Sequence, residues 1–129
     1  MKEPPLHSDW LSRGVAFFNA GDFWDAHEQW EEHWKNAEGP PKQFLQGLIQ
    51  LAAALHHLQR GTLPGAVRLI GEASRRLDPF PDGYLGVRRG PVLQRAFVDA
   101  AAIRSGTDPW ADSRPRPGGF PLLELVMEP

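Results

Sequence analysis

The segment FLQGLIQLAAALHHLQR, Phe44–Arg60, decides the fold class. Phe44, Leu48, Leu51, Leu55 and Leu58 recur at three- and four-residue spacing. That period lines one face of an α-helix and cannot line one face of a strand, where the repeat is two. Pro41 suits a first helical turn, where its missing N–H costs nothing, and Gly61 suits a C-terminal stop. The pattern predicts a helix over 41–60. Working back toward the N-terminus, Gly39, Pro40 and Pro41 break a helix expected over 23–36. Asp22 can cap that helix, with Asp25 three positions on. Before it, a helix over 9–20 starts at the N-cap Ser8 and stops at Gly21.

Working forward, Thr62 and Pro64 open a helix over 63–77. The stretch 78–90 is rich in Pro, Gly and Asp and reads as a loop. Pro91 opens a helix over 91–104, which Gly106 closes. The expected fold is therefore all-α: a compact bundle of about five helices built from two helical hairpins, with an extended Pro-rich C-terminal tail. Residues 1–111 form the single all-helical domain of this reading, and 112–129 an extended or partly disordered tail. Leu122, Leu123, Leu125 and Val126 can dock that tail on the core. The run Leu122–Met127 is the only candidate strand.

At 129 residues the chain has the length of one domain, long enough for a real core. Its net charge of −2 provides no chain-wide basic field for nucleic acid. With no cysteine, disulfides, thiolate metal sites and cysteine nucleophiles are excluded. No apolar run reaches the roughly 18 residues of a membrane span. The first ten residues, MKEPPLHSDW, lack the apolar core of a secretory signal, so a cytoplasmic protein is expected. There is no phosphate-binding glycine loop and no nucleophile elbow. Charge is uneven along the chain. Residues 22–38 carry six carboxylates and one lysine, whereas 60–104 carry eight arginines and four carboxylates.

Two segments align at an offset of 40: NAGDFWDAHEQWEEHW from Asn19 and QRGTLPGAVRLIGEAS from Gln59. Gly21 matches Gly61, Phe23 matches Leu63, Ala26 matches Ala66 and Trp30 matches Ile70. Glycine makes the turn, the large residue packs back, and alanine lets two helices approach. The pattern is that of a tetratricopeptide-like hairpin. It supports a protein-interaction module, with a protein partner or a second copy of the chain as its target.

The second helix carries the chemistry. On a wheel of about 100° per residue, Phe23, Trp24, Trp30, Glu31 and Trp34 all lie within about 60° of His27. An imidazole and a carboxylate on so aromatic a face each need a partner. One answer is structural: a buried or half-buried His27–Glu31 hydrogen bond at i, i+4 spacing. The other is a divalent-metal site, with His27 and Glu31 as ligands and Glu28 as base or fourth ligand. A third ligand would come from His56, or alternatively His57, on the following helix. Trp24, Trp30, Trp34 and Gln46 would line the pocket. His27-Glu28-Gln29-Trp30-Glu31 departs from the two-histidine zinc motif by a carboxylate, so it is not a metalloprotease signature.

These residues, FNAGDFWDAHEQWEEHW, then FLQGLIQLAAALHHLQRG and GAVRLIGEA, resemble the domain of unknown function 309 family, small all-helical prokaryotic proteins. The resemblance covers about residues 12–90. Its pattern falls on His27, Glu28, Glu31, Trp34, Gln46, Gly47 and His56 or His57. It implies a compact helical bundle. It also brings a loose label of metal-dependent hydrolase, which is built on the same His27 and Glu31.

Overall fold

A computed structural model describes residues 9–126. His7 and the cap expected at Ser8 lie outside them. Five helices follow in order: α1 Asp9–Asn19, α2 Phe23–Trp34, α3 Gly39–Arg60, α4 Leu63–Leu77 and α5 Gly90–Arg104. The expected all-α bundle is the observed one. A short 3-10 turn, Tyr84–Gly86, precedes the two-residue strand β1, Val87–Arg88, and β2 is Glu124–Leu125. These strands pair antiparallel, Val87 opposite Leu125 and Arg88 opposite Glu124. They form the only sheet among the described residues. No helix there is long and apolar enough to cross a membrane.

α3 is the axis of the bundle. It packs most extensively on α4 and then on α2, while α1 covers α2 and α5 covers α4. Phe44, Leu45, Leu48, Leu51, Ala52, Leu55 and Leu58 of α3 are fully buried, because a central helix needs an apolar surface toward both neighbours. Glycine sets two of the close approaches. A Cβ at Gly47 would lie 2.6 Å from Leu77 of α4, and one at Gly14 would overlap the indole of Trp30. That indole is fully buried and donates its N–H to the Leu11 carbonyl at 3.3 Å.

The 40-residue repeat extends to the backbone. Gly21 and Gly61 adopt φ of 85° and 76°, the left-handed conformation that glycine allows. The next N–H, of Asp22 or Thr62, donates to Phe17 O or His57 O at 2.9 Å in each case. This is the Schellman closure of a helix end. Asp22 and Thr62 share nearly the same backbone angles, φ/ψ −90°/65° and −87°/75°, and neither side chain makes a capping bond. The capping box expected at Asp22 is absent because that ψ is not the extended one a capping side chain requires.

Residues 105–126 are tied to the bundle. Trp110, Phe120 and Leu123 are buried. The Trp110 indole N–H donates to Asp99 Oδ2 at 2.9 Å, and Arg95 Nε donates to Oδ1 at 3.1 Å. The Asn19 amide brackets Leu123, donating to its carbonyl at 2.9 Å and accepting from its N–H at 2.8 Å. Arg116 donates to Asn19 O at the end of α1, and Arg114 to Leu58 O at the end of α3. Both guanidiniums thus sit at the negative ends of helices. Leu122 stays half exposed, and Leu125 and Val126 are partly buried.

Candidate functional site

α2 and α3 are antiparallel, which brings the start of α2 beside the end of α3. There Trp24, 47% exposed, lays its indole against two imidazoles. Its ring centroid is 4.5 Å from that of His27, with the planes 12° apart. It is 5.2 Å from His56, tilted by 41°. One turn along α2, Glu31 Oε2 lies 3.7 Å from His27 Nε2. That is too long for a hydrogen bond. The Glu31 side chain is 47% exposed and that of His27 only 15%. The expected buried hydrogen bond is therefore a loose pair at the surface, of the kind worth about 0–1 kcal/mol. Stacking on Trp24 holds His27 instead, and its Nδ1 is buried without a hydrogen-bond partner.

The two α3 histidines part company. His56 turns toward α2 and Trp24, whereas His57 packs toward α4, where a Cβ on Gly65 would lie 3.2 Å from its ring. Burial lowers the His56 pKa, and the Arg60 charge adds to this against a hydrogen bond with Gln59. His56 is thus biased toward the neutral form. His33 stacks on Trp10 at 4.7 Å.

The aromatic residues do not share a pocket. Trp30 is in the core, Trp34 lies under the ammonium of Lys42 at 4.4 Å, and only Trp24 reaches the His27–His56 face. Gln46 is half buried on α3 and Glu28 is exposed. Among the described residues, no three His, Asp or Glu side chains gather as a metal ion requires. His27 and Glu31 approach each other, but the Trp24 ring meets both imidazoles, so His56 does not complete a ligand set with them. As placed, these groups do not assemble a divalent-metal site.

The arrangement offers a fixed aromatic surface beside carboxylates. Glu28 follows Trp24 by one helical turn, and Glu31 follows His27 likewise. The i, i+3 spacing of Trp24 and His27 was the sequence signal for their stack. A second group, Gln43, Arg75 and Arg76, comes together at the opposite end of α3. The basic sequence of 60–104 offers Arg75 and Arg76, with Arg88 and Arg89, as an anion or RNA contact, but it does not join them to Gln43, some thirty positions away on another helix.

Residues 11–69 match the family described as a domain of unknown function (DUF309). That stretch takes in α1 to α3 and the start of α4, including Trp24, His27, Glu31 and His56, and ends before Arg75. The chain is 40% identical over 96 residues to the uncharacterised protein YpuF of Bacillus subtilis (strain 168), covering 70% of this chain and 52% of that one. It is 34% identical over 92 residues to an uncharacterised protein of Aquifex aeolicus (strain VF5), covering 69% of this chain and 26% of the other. It thus spans about half the length of the first relative and about a quarter of the second. Over its helical core and the α2–α3 face, the chain is therefore similar to the DUF309 family.

Proposed function

We propose that this chain is a protein-interaction module whose docking face is the outer side of α2, anchored on Trp24. The observation that carries this reading is the half-exposed indole held against two imidazoles. Tryptophan dominates binding hot spots, and an indole already fixed loses little freedom on docking. The six carboxylates of residues 22–38 favour a partner surface rich in Lys or Arg. Most of the chain matches relatives of different length, as a portable unit would. The test is co-purification from source cells with identification of the captured proteins. Wild type is expected to retain a basic partner, and Trp24→Ala and Glu28→Lys are expected to release it with melting temperatures nearly unchanged. Capture that survives both substitutions would place the docking face elsewhere. Association of the pure protein in sedimentation, abolished by Trp24→Ala, would make the partner a second copy.

The rival reading is a divalent-metal site formed by His27, Glu31 and His56, with Glu28 as base. The open 3.7 Å gap between His27 Nε2 and Glu31 Oε2 favours it. It requires Trp24 to leave its stack. A metal that binds the folded state raises the melting temperature. This reading therefore expects zinc or manganese to stabilise wild type but not His27→Ala. The interaction reading expects no such response.

A further inference from the structure

The far end of α3 carries a second feature. Between the start of α3 and the end of α4 lies a cleft of about 700 Å³. It is about 20 Å along α3 from His56, counted from Gln43 at 1.5 Å per residue. The volume is that of a small-molecule site. Its apolar wall is Phe80 with Pro40 and Pro79. The Phe80 ring is fixed, edge-on to Phe44 at 5.4 Å and tilted on Tyr84 at 4.6 Å.

Its polar wall carries unneutralised positive charge. Arg76 donates from Nε to Gln50 Oε1 at 3.1 Å and from a terminal nitrogen to Gln43 Oε1 at 2.7 Å. Both acceptors are neutral amides, so they orient the guanidinium without cancelling its charge. Arg75 lines the same cleft and is exposed. Among the described residues neither arginine makes an ion pair. The one carboxylate in the wall, Glu72, is taken by Arg68 at 3.0 Å. Glu38 and Asp78, which flank the cleft in sequence, do not line it.

The end of α4 would ordinarily attract these arginines through its free carbonyls. Arg89 has that place already. It is 4% exposed and donates to Leu77 O, Phe80 O and Pro81 O at 2.8, 2.7 and 3.0 Å. Arg75 and Arg76 are left facing a concave apolar surface with no anion of the chain's own to pair with.

We propose that this cleft binds a small organic anion: an apolar or aromatic body with one carboxylate or phosphate group. The anionic group sits on Arg76 and Arg75, and the body on Phe80, Pro40 and Pro79. Arg76 is suited to it because its fork is already oriented by two glutamines. An inorganic anion would leave the apolar wall unused, and a neutral body would leave the charge unmet.

The test is an amide NMR titration of the full chain with phenyl phosphate, 4-phenylbutyrate, 4-phenylbutyramide and inorganic phosphate. Both organic anions are expected to shift resonances around Gln43, Arg75, Arg76 and Phe80. The neutral amide and inorganic phosphate should each bind about tenfold more weakly or less. Arg76→Gln should weaken phenyl phosphate about tenfold. Because Arg76 also ties α4 to α3, Arg75→Gln serves as a second variant in a side chain with no partner to lose. Trp24→Ala should leave the affinity unchanged, which separates this site from the docking face. Equal binding of the amide and the carboxylate would overturn the proposal. So would unchanged affinity in both folded arginine variants, or shifts confined to other residues. A single-stranded oligonucleotide binding these residues more tightly than phenyl phosphate would also overturn it, in favour of a nucleic-acid contact.

Discussion

The hairpins α1–α2 and α3–α4 share a turn and differ in what they show to solvent. Their glycines, backbone angles and closing hydrogen bonds coincide at an offset of 40. So do their innermost residues, with Ala26 and Ala66, and Trp30 and Ile70, all buried. On the outer face the correspondence ends. Trp24, His27, Glu28 and Glu31 of α2 stand where α4 has Pro64, Val67, Arg68 and Gly71. An aromatic, acidic surface faces out from one hairpin and a basic one from the other. The core positions answer to packing and are held alike. The outer positions are released from packing and carry the difference, so function is to be sought there.

Replacing the two tryptophans of α2 should separate these roles most sharply. Trp30→Ala empties a fully buried site and is expected to cost about 4 kcal/mol in urea unfolding. Trp24→Ala, at a half-exposed site, should cost about 1 kcal/mol or less. Similar losses at the two positions would make Trp24 a core residue and remove the basis for a docking face.

A glycine exchange tests whether the hairpins pack alike in detail. Gly14→Ala drives a methyl group into the Trp30 indole, and about 3 kcal/mol should be lost despite the better helix propensity of alanine. The equivalent position in the second hairpin is Ala54, and the counterpart of Trp30 there is Ile70. Ala54→Gly should cost about 1–2 kcal/mol, from propensity and the lost buried methyl. A neutral Gly14→Ala would mean that α1 shifts easily on α2.

The arginines of the C-terminal stretch cap the two hairpins in parallel, and each should contribute about 1–2 kcal/mol. Arg114→Ala is expected to be the costlier in thermal melts, because Arg114 also pairs with Asp108 at 2.8 Å. An equal or reversed order would show that the Asp108 pair adds nothing.

The smallest effect concerns pH. The folded-state pKa of His56 lies below its unfolded value, so near and below that value the unfolded chain binds more protons. Stability contributed by neutral His56 is complete at pH well above 6.5. It falls as pH drops below the unfolded pKa toward the folded one. Melts from pH 7.5 to 5 should show this acid-side loss, reduced in His56→Gln. No difference between the two proteins would assign the loss to other groups.

The helices were legible because Gly and Pro punctuate them and their apolar stripes are regular. The helix read as 63–77 is α4 to the residue, and the others differ by one or two positions at their ends. The repeat was legible for the same reason. The packing of residues 105–126 was legible at Leu123, one of the four residues offered for docking, but not at Trp110 and Phe120, which follow no period. The anchoring of Trp110 and Leu123 depends on Asp99 and Asn19, the latter far away in sequence. Arg89 was hidden likewise. A buried arginine is improbable until three carbonyls are known to converge on it. In the site, the wheel placed Trp24, His27 and Glu31 on one side of α2, where they are. It could not say that the indole would lie on the imidazoles, or which of two adjacent histidines would turn toward α2. His57 packs instead on Gly65 of α4, a neighbour that only the packed structure reveals.

The arginine clasp across the two hairpins also has a bearing on how the protein is made. Synthesis runs from the N-terminus, so α1–α2 and then α3–α4 are translated before Arg114, Arg116 and Leu123. During that interval Asn19 O lacks its Arg116 donor, and Leu58 O keeps only the N–H of Gly61. The nascent hairpins would hold their shape by their glycine turns and shared core alone. The stretch that locks them is translated after both hairpins, so the clasp would close as a buckle does, from outside, after the layers are already in place.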